Sequence, residues 1–278
     1  MTGLTVRKLN IDFSQGFGRR WLGGDAYRTA LFNALSMSFP IGEQSFIDSV
    51  RAAPDACLVD PVLRAQVKSF IGQEASHRHV HVQYNAQLTA QGFDYIMEPV
   101  VARRLRALDK MDVRTRLAVT VAFEHYTALL ADGVLTRPRW MAGAEPALRT
   151  LWEWHAVEET EHKSVAFDVY RACGGGYWRR VLMYLQVSLI FMADTTVQTG
   201  HNLHRDGSLF KPGTWLSFAN TWFGRDGIAW HLVVPGLQYF SPRFRPWQHD
   251  NRALVARWLA QNGAAYRAIT PQGQDNAA

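Results

Sequence analysis

With 278 residues the chain could form one large domain or two small ones, and its 47% hydrophobic and 19% charged residues exclude a disordered chain. The formal charge of +6 rests on 25 Arg and 5 Lys, but there is no run of like charge and no basic stripe interleaved with aromatic residues, so we expect no nucleic-acid partner. Cys57 and Cys173 lack a metal-binding spacing, and the N-terminus lacks the apolar stretch of a signal peptide. These features predict a cytoplasmic protein.

The first 24 residues are punctuated by glycine and predict an arm with short turns. Helical patterning begins near Asp25 and continues to about Ala53, interrupted at residues 39–42. Because proline ends or kinks a helix just before it, Pro40 predicts a break, with Glu43 in the first turn of a new or kinked segment.

Further helices are predicted at 60–91, 98–108, 112–135 and 145–172, with Asp60-Pro61 and Glu145-Pro146 as start signals, an acid followed by proline. Alternating strand patterns are absent, so the chain is predicted to be all-α.

The region after residue 175 is rich in Trp and Pro. Its apolar run at 181–193 is too short to span a bilayer and predicts a buried core helix; a monotopic membrane contact through 179–193 is the alternative. Residues 200–247 predict irregular structure packed over the helices by aromatic side chains, and 248–266 predict a last amphipathic helix. The tail at 270–278 is expected to be frayed.

Two Glu-x-x-His motifs and two further glutamates fall in the four main predicted helices. Glu43 precedes the first motif by 31 residues and Glu124 precedes the second by 35 residues. Each separation suits a chain that follows one helix, turns, and returns to the same height. The pattern predicts a ferritin-like four-helix bundle with a dimetal centre plus additional C-terminal helices. The predicted ligands are Glu43, Glu74, His77, Glu124, Glu159 and His162.

Four carboxylates would supply a charge of −4 to two divalent cations. Without metal, such acids converging among apolar side chains would repel one another and lose their hydration. Carboxylate oxygens with one imidazole per ion suit iron or manganese better than structural zinc. We therefore predict two iron ions, with manganese as the alternative.

Five segments resemble a bacterial family named predicted metal-dependent hydrolase: 39–43, 73–77, 124–127, 154–163 and 239–247. The resemblance covers about residues 25–250. More widely, the ligand pattern resembles the ferritin-like di-iron oxidases and oxygenases, and this similarity implies the same six ligands. The chain is then divided into an N-terminal arm (1–24), a metal-binding bundle (25–175) and a C-terminal region packed on the bundle (176–278).

The sequence offers more His and Glu than this pattern needs. His81 and His155 lie one turn from predicted ligands and face the same way, so each either holds a ligand carboxylate in place or is an extra ligand of an expanded or three-metal site. Glu158 competes with Glu159 for the ligand position. Tyr84 and Thr127, also one turn from ligands, are candidate catalytic residues for proton delivery or radical chemistry; core packing is the alternative.

The main functional prediction is a di-iron oxidase or oxygenase that uses O2, an electron donor and a small apolar or amphipathic substrate. The alternative is a metal-dependent hydrolase with a dinuclear centre, although HExxH and Gly-x-Ser-x-Gly motifs are both missing. A non-enzymatic metal-storage bundle is the third hypothesis. A homodimer and association with a membrane surface are compatible with each of them.

Overall fold

The computed structural model describes residues 4–269 and confirms the all-α prediction. The expected fraying of 270–278 lies outside the described residues. Ten α-helices and one pair of short strands account for the regular structure of the described chain, apart from two single-turn 3-10 helices. In chain order they are β1 (Arg7–Leu9), α1 (Ala26–Arg51), α2 (Pro61–Ala90), α3 (Glu98–Leu108), α4 (Val113–Thr136), α5 (Pro146–His162), α6 (Val165–Ala172), α7 (Tyr177–Arg205), α8 (Pro212–Phe223), α9 (Ile228–Gln238), α10 (Arg252–Gln261) and β2 (Tyr266–Ala268).

Aspartate caps start three of the four long helices that precede the glycine-rich turn at 174–176. The side chains of Asp25, Asp60 and Asp112 each accept a hydrogen bond from a backbone N–H in the first turn of α1, α2 and α4. At the other end of α2, Gly92 adopts a φ of +83°, a conformation that glycine takes without steric cost. The predicted bounds of these helices agree closely with the observed ones because their caps are local signals.

The predicted break at Pro40 is wrong, because α1 runs as one helix from Ala26 to Arg51 with Pro40 inside it. Proline lacks the N–H that would bond to the carbonyl of Ser36, four residues earlier. Asn85 of α2 replaces the missing N–H, because the Asn85 Nδ2 donates to the Ser36 carbonyl oxygen at 2.9 Å. A side chain from the neighbouring helix thus satisfies the group that proline leaves unpaired.

The second half of the chain departs from prediction in several places. The helix predicted at 145–172 is divided at residues 163–164, where Lys163 Nζ bonds to the His249 carbonyl oxygen and to Asn251. The region predicted to be irregular contains α8 and α9, and the last helix is shorter than predicted. These elements are short and are formed against the bundle, so their sequences alone carry weak signals.

The prediction of a buried core helix at 181–193 is also wrong. Helix α7 is 29 residues long, and only 22% of its most apolar window is buried. It is therefore not a buried core helix. One face packs on α1 and α4, and the other is exposed. By length and composition alone α7 could cross a bilayer, which for a single helix is weak evidence.

The N-terminal arm is tied to the other end of the described chain. Strand β1 pairs antiparallel with β2, with Arg7 opposite Ala268 and Leu9 opposite Tyr266. Leu9 is buried, and the Arg7 side chain reaches into the bundle. The sequence contained no alternating pattern because each strand is only three residues long.

The bundle is formed by α1, α2, α4 and α5, and its interior contains two apolar clusters. One includes Leu35, Tyr84 and Trp152, and the other includes Phe46 and Phe70. Each of the four helices, with α5 continued by α6, passes from one cluster to the other. The acidic residues predicted as ligands lie at the crossing, so a polar layer separates two apolar cores.

We predict that replacing Asn85 by Ala lowers the free energy of unfolding by about 1–3 kcal/mol, because the Ser36 carbonyl loses its donor. In a Pro40→Ala background the restored N–H can bond to that carbonyl, so the same replacement should cost about 1 kcal/mol less. Denaturant unfolding of the four proteins measures this coupling. The exposed Gln83→Ala on the same helix is the control, expected within about 0.5 kcal/mol of the parent. Equal costs in the two backgrounds would contradict the compensation.

Candidate metal centre

The structure brings all six predicted ligand residues together in the polar layer. Glu43 comes from α1, the Glu74 motif from α2, Glu124 from α4 and the Glu159 motif from α5. Each of the six side chains is at most 3% exposed, so the cluster is closed to bulk water. The fully buried residues of this set are Glu74, His77 and His162.

The distances within the cluster define four overlapping groups of three side chains, including one of Glu43, His81 and His155. Nε2 of His162 lies 3.2 Å from Glu74 Oε1, 3.4 Å from Glu159 Oε2 and 3.6 Å from Glu124 Oε2. His77 Nδ1 lies 3.6 Å from Glu159 Oε1. One group that could hold a metal ion is Glu74, Glu159 and His162; others combine Glu43, Glu74 and His77, or His77, His155 and Glu159. Glu74 and Glu159 belong to more than one group, as carboxylates that bridge two ions would.

Nine of the fifteen buried side-chain polar atoms that lack a hydrogen-bond partner among residues 4–269 face into this cluster. Buried polar atoms are ordinarily paired, so such a concentration indicates a missing cation. The nine atoms are both carboxylate oxygens of Glu43, Glu74 and Glu124, Oε2 of Glu159, Nδ1 of His77 and Nε2 of His162. The donor set therefore fits divalent cations bound by carboxylate and imidazole.

The electrostatics of the residues agree with this interpretation. Burial, together with the neighbouring acids, raises the pKa of Glu43 well above its ordinary value. Burial raises the pKa of Glu124 in the same way, although His162 opposes it. Burial alone would lower the pKa of His162, but Glu159 and Glu124 outweigh it and raise that pKa well above its ordinary value. Without metal, protons therefore take the place of the missing positive charge.

Each motif histidine is held from outside the cluster by the residue that precedes the glutamate of the other motif. Nδ1 of His162 lies 3.1 Å from Gln73 Oε1, and the amide Nε2 of Gln73 donates to the Thr5 carbonyl oxygen and to Glu161, so Nδ1 of His162 is the donor. This leaves Nε2 of His162 facing the cluster. Such outer hydrogen bonds set the tautomer and orientation of metal-binding histidines.

Glu158 performs the matching role on His77. Its Oε2 lies 3.0 Å from His77 Nε2, and its Oε1 accepts from Arg7 Nη1 at 3.3 Å. Burial raises the pKa of Glu158 well above its ordinary value, although the Arg7 guanidinium opposes this shift. In its ionised form Glu158 accepts from His77 Nε2. Nδ1 of His77 is then free to face the cluster. The competition between Glu158 and Glu159 is thus decided by position, with Glu159 facing inward.

Sequence reasoning missed Gln73 and Arg7, and also Ser36 and Asn85, as part of this site. The repeat that could have revealed Gln73 is a polar residue directly before each Glu-x-x-His motif. No local signal marks Arg7, which reaches Glu158 only because β1 is held beside the bundle.

A chain of hydrogen bonds leads outward from Glu159. Its Oε1 lies 3.0 Å from His155 Nε2, His155 Nδ1 lies 2.8 Å from His81 Nε2, and His81 Nδ1 lies 2.8 Å from Ser36 Oγ. The Ser36 hydroxyl donates to Asn85 Oδ1 at 2.8 Å. All the ring nitrogens of this chain are therefore engaged.

The two predicted catalytic residues occupy different surroundings. The Tyr84 hydroxyl donates to Asn33 Oδ1 at 2.6 Å, and its ring packs among Phe13, Phe17 and Trp21. Tyr84 lines neither of the two large cavities, so the structure places it in the apolar core rather than at an accessible site. Thr127 lines both cavities beside Glu159, with its hydroxyl donating to the Glu124 carbonyl oxygen.

Two cavities reach the cluster from either side of α7. The first, about 410 Å³, lies between α1, α4, α7, α8 and α9. The second, about 350 Å³, lies between α1, α3, α4 and α7. They share six lining residues, which are Phe39, Thr127, His155, Glu159, Phe191 and Thr195. Glu159 and His155 are therefore the ionisable groups that a molecule in either cavity would meet.

Comparison with known proteins supports the metal site but not the main functional prediction. Residues 5–250 match the model of a family described as predicted metal-dependent hydrolase. No curated protein and no solved structure matches the chain, so its placement among ferritin-like proteins stays a prediction. The oxidase or oxygenase prediction is wrong, because the matching family is one of hydrolases; the hydrolase alternative is the one that the match supports.

We predict that the metal-free protein loses stability as the pH rises above about 7. In that range the histidines of the unfolded chain are neutral. In the cluster, the carboxyls of Glu43, Glu74 and Glu124 and the imidazole of His162 have pKa values that are raised in the folded state. Outside it, Lys163 opposes them above pH 8, because burial lowers its pKa to about 8, but it is one group against four. Folded protein then binds more protons than unfolded protein, so the stability that these protons confer is lost with rising pH.

Thermal unfolding in a chelator and in excess metal, measured across this pH range, tests the prediction. The gain in melting temperature on adding metal should increase with pH, since metal displaces the protons. Glu124→Gln removes one titrating carboxyl and should flatten the pH dependence in the chelator. A metal-free protein whose stability rises with pH would refute this account of the cluster.

Proposed function

The chain belongs to the predicted metal-dependent hydrolase family, and from this premise we propose that it hydrolyses an ester or amide of an apolar acid at a dinuclear metal centre. The observation that carries the proposal is the set of unpaired, buried carboxylate and imidazole atoms at the meeting point of two cavities. A bound metal pair would polarise a carbonyl oxygen and lower the pKa of a water molecule.

The proposed ligands are the six residues with unpaired inward atoms: Glu43, Glu74, His77, Glu124, Glu159 and His162. The sharing of Glu74 and Glu159 between groups supports two ions bridged by carboxylates rather than one. Four carboxylates balance two divalent charges, and oxygen ligands with few imidazoles favour iron(II) or manganese(II) over structural zinc. Gln73 and Glu158 hold the two motif histidines in the orientation that this set needs.

We propose His155 as a seventh ligand, on the basis of the hydrogen-bond chain behind it. Asn85 Nδ2 donates to the Ser36 carbonyl, which fixes the amide so that Oδ1 accepts from the Ser36 hydroxyl. That hydroxyl has no second proton, so His81 Nδ1 donates to it. Burial lowers the pKa of His81 well below its ordinary value, so the ring is neutral and its Nε2 accepts.

His155 Nδ1 must then donate to His81 Nε2, so Nε2 is the His155 nitrogen that is available to bind a cation. That nitrogen faces Glu159 Oε1 at 3.0 Å. Without metal a proton joins these two atoms in a hydrogen bond, and a bound cation would take the place of that proton. His155 therefore adds an imidazole on the side of the cluster that faces the cavities, and His81 and Ser36 set its tautomer.

The remaining side chains orient the substrate and exclude water. The first cavity has an apolar wall that includes Leu35, Trp152 and Phe218, which suits the apolar part of the substrate. The second contains the ion pair between Arg104 and Asp194, which suits the polar part. The scissile carbonyl would then lie where the cavities meet, beside Glu159 and the hydroxyl of Thr127, whose oxygen can accept a hydrogen bond from a water molecule. Tyr84 has no part in this proposal.

Removal of Glu124 tests the ligand set. We expect Glu124→Ala to lower the bound metal from two ions per chain and to reduce ester hydrolysis by more than 100-fold, since a lost ligand weakens both binding and Lewis acidity. Metal analysis and steady-state kinetics on metal-reconstituted protein measure both. Glu153→Ala, on the same helix as Glu159 but bonded to Trp258 instead, is the control and should keep both properties. Full metal content in Glu124→Ala would overturn the ligand set.

The cavities give a test of the substrate class. With p-nitrophenyl esters of increasing acyl length, we expect kcat/KM to rise with chain length until the first cavity is filled, because each buried methylene contributes about 0.8 kcal/mol. Leu232→Trp narrows this cavity and should lower kcat/KM for long esters much more than for acetate. Val101→Trp, in the second cavity, is the matched variant and should not discriminate by acyl length. Two bound metals without turnover of any ester or amide would refute the proposed reaction.

A further inference from the structure

One region of the surface carries most of the exposed apolar side chains. Fourteen of the twenty large hydrophobic residues that are exposed in the described chain lie between Trp178 and Leu237. This segment comprises α7, α8, α9 and their connections. Isolated exposed apolar residues are ordinary, but a concentration of this size marks an interaction surface.

The apolar residues form ordered stripes. On α7 the exposed residues recur at alternating spacings of four and three along one side: Trp178, Leu182, Leu185, Leu189 and Met192. On α9 they are Trp230, Val233, Val234 and Leu237, which also share one side. The opposite sides of both helices pack on the bundle. Each helix thus has an inner face packed on the protein and an outer face that nothing in the described chain covers.

The same segment is basic. Residues 177–247 contain seven Arg and Lys but only three acids, so more than half of the net charge of the protein lies here. The three acids are each paired with arginine from elsewhere: Asp194 with Arg104, Asp206 with Arg20, and Asp226 with Arg139.

Four basic side chains of the segment are exposed and have no ion-pair partner within residues 4–269: Lys211, Arg225, Arg243 and Arg245. Tryptophans at the edge of an apolar surface beside free cations are typical of a protein face that lies in the headgroup region of a membrane.

We propose that the outer face of α7, α8 and α9 docks on an anionic lipid bilayer. A second copy of this chain is the competing occupant, and the charge distribution disfavours it. A symmetric dimer through this face would bring two surfaces of the same positive sign together, with no free carboxylate on either to pair with the cations. Anionic headgroups supply the complementary charge, and acyl chains accept the apolar stripes.

The first cavity opens on this face. Its wall continues from Glu159 and His155 to Met192, Trp215 and Phe223, which are themselves among the exposed apolar residues. An apolar molecule dissolved in the bilayer could therefore reach the cluster without crossing water. Docking does not depend on the proposed hydrolysis, because binding to vesicles is measured without turnover.

Cosedimentation of the full-length protein with vesicles tests the docking surface. We expect binding to phosphatidylcholine vesicles that contain phosphatidylglycerol, weaker binding to phosphatidylcholine alone, and a blue shift of tryptophan emission on binding. Leu189→Asp with Leu216→Asp, at positions 75% and 73% exposed, should abolish binding. Val59→Asp with Val82→Asp, exposed residues away from this face, is the matched control and should bind as the parent does.

A second pair of variants tests how much the basic side chains contribute to binding of the anionic vesicles. Lys211→Gln with Arg225→Gln should weaken binding to the anionic vesicles by about fivefold per charge, whereas Lys68→Gln with Arg78→Gln on α2 should leave it unchanged. Equal circular dichroism and unfolding midpoints establish that the variants are folded. Failure of the parent to bind anionic vesicles overturns the proposal. So does a dimer in sedimentation velocity that Leu189→Asp with Leu216→Asp dissociates, because the second copy would then be the occupant.

Discussion

The structure depends on one electrostatic constraint: four carboxyl groups meet inside a helical bundle, where almost none of their surface is exposed to bulk water. Glu43, Glu74, Glu124 and Glu159 are each at most 3% exposed, and seven of their eight oxygens have no hydrogen-bond partner among the described residues. Burying such groups costs several kcal/mol each unless positive charge is supplied. Protons or metal ions can supply it, and only metal ions do so with all four carboxylates ionised.

The fold meets this constraint by placing the acids in a polar layer between two apolar cores, which hold that layer in position. Each helix of the bundle, with α5 continued by α6, carries apolar residues into both cores, so its acid is held at the crossing level from both directions. The side of the cluster towards α2 is closed by outer hydrogen bonds. Gln73 and Glu158 hold the motif histidines there, and Arg7 neutralises Glu158. Because Arg7 lies on β1, the pairing of β1 with β2 links both ends of the described chain to the site.

The opposite side of the cluster is open to apolar space. Helix α7 crosses α1 and α4 with a cavity on each side, and α8 and α9 complete the wall of the first cavity. One side of the molecule therefore sets the orientation of the ligands, while the other admits a substrate. The apolar outer faces of α7, α8 and α9 lie on this open side, where the first cavity reaches the surface. An apolar substrate and a membrane contact would therefore use the same side of the molecule.

The sequence by itself determined the helical class, the bounds of the capped helices and the six residues that meet in the cluster. These depend on local signals: aspartate caps, Glu-x-x-His on one helix face, and matching separations between acids. Only the tertiary structure decided that α1 continues through Pro40, because the compensating donor Asn85 comes from another helix. It also decided that Glu159 rather than Glu158 faces inward, and that His155 is backed by His81 and Ser36. Such contacts join residues 45 to 151 positions apart, and no spacing within one helix encodes them.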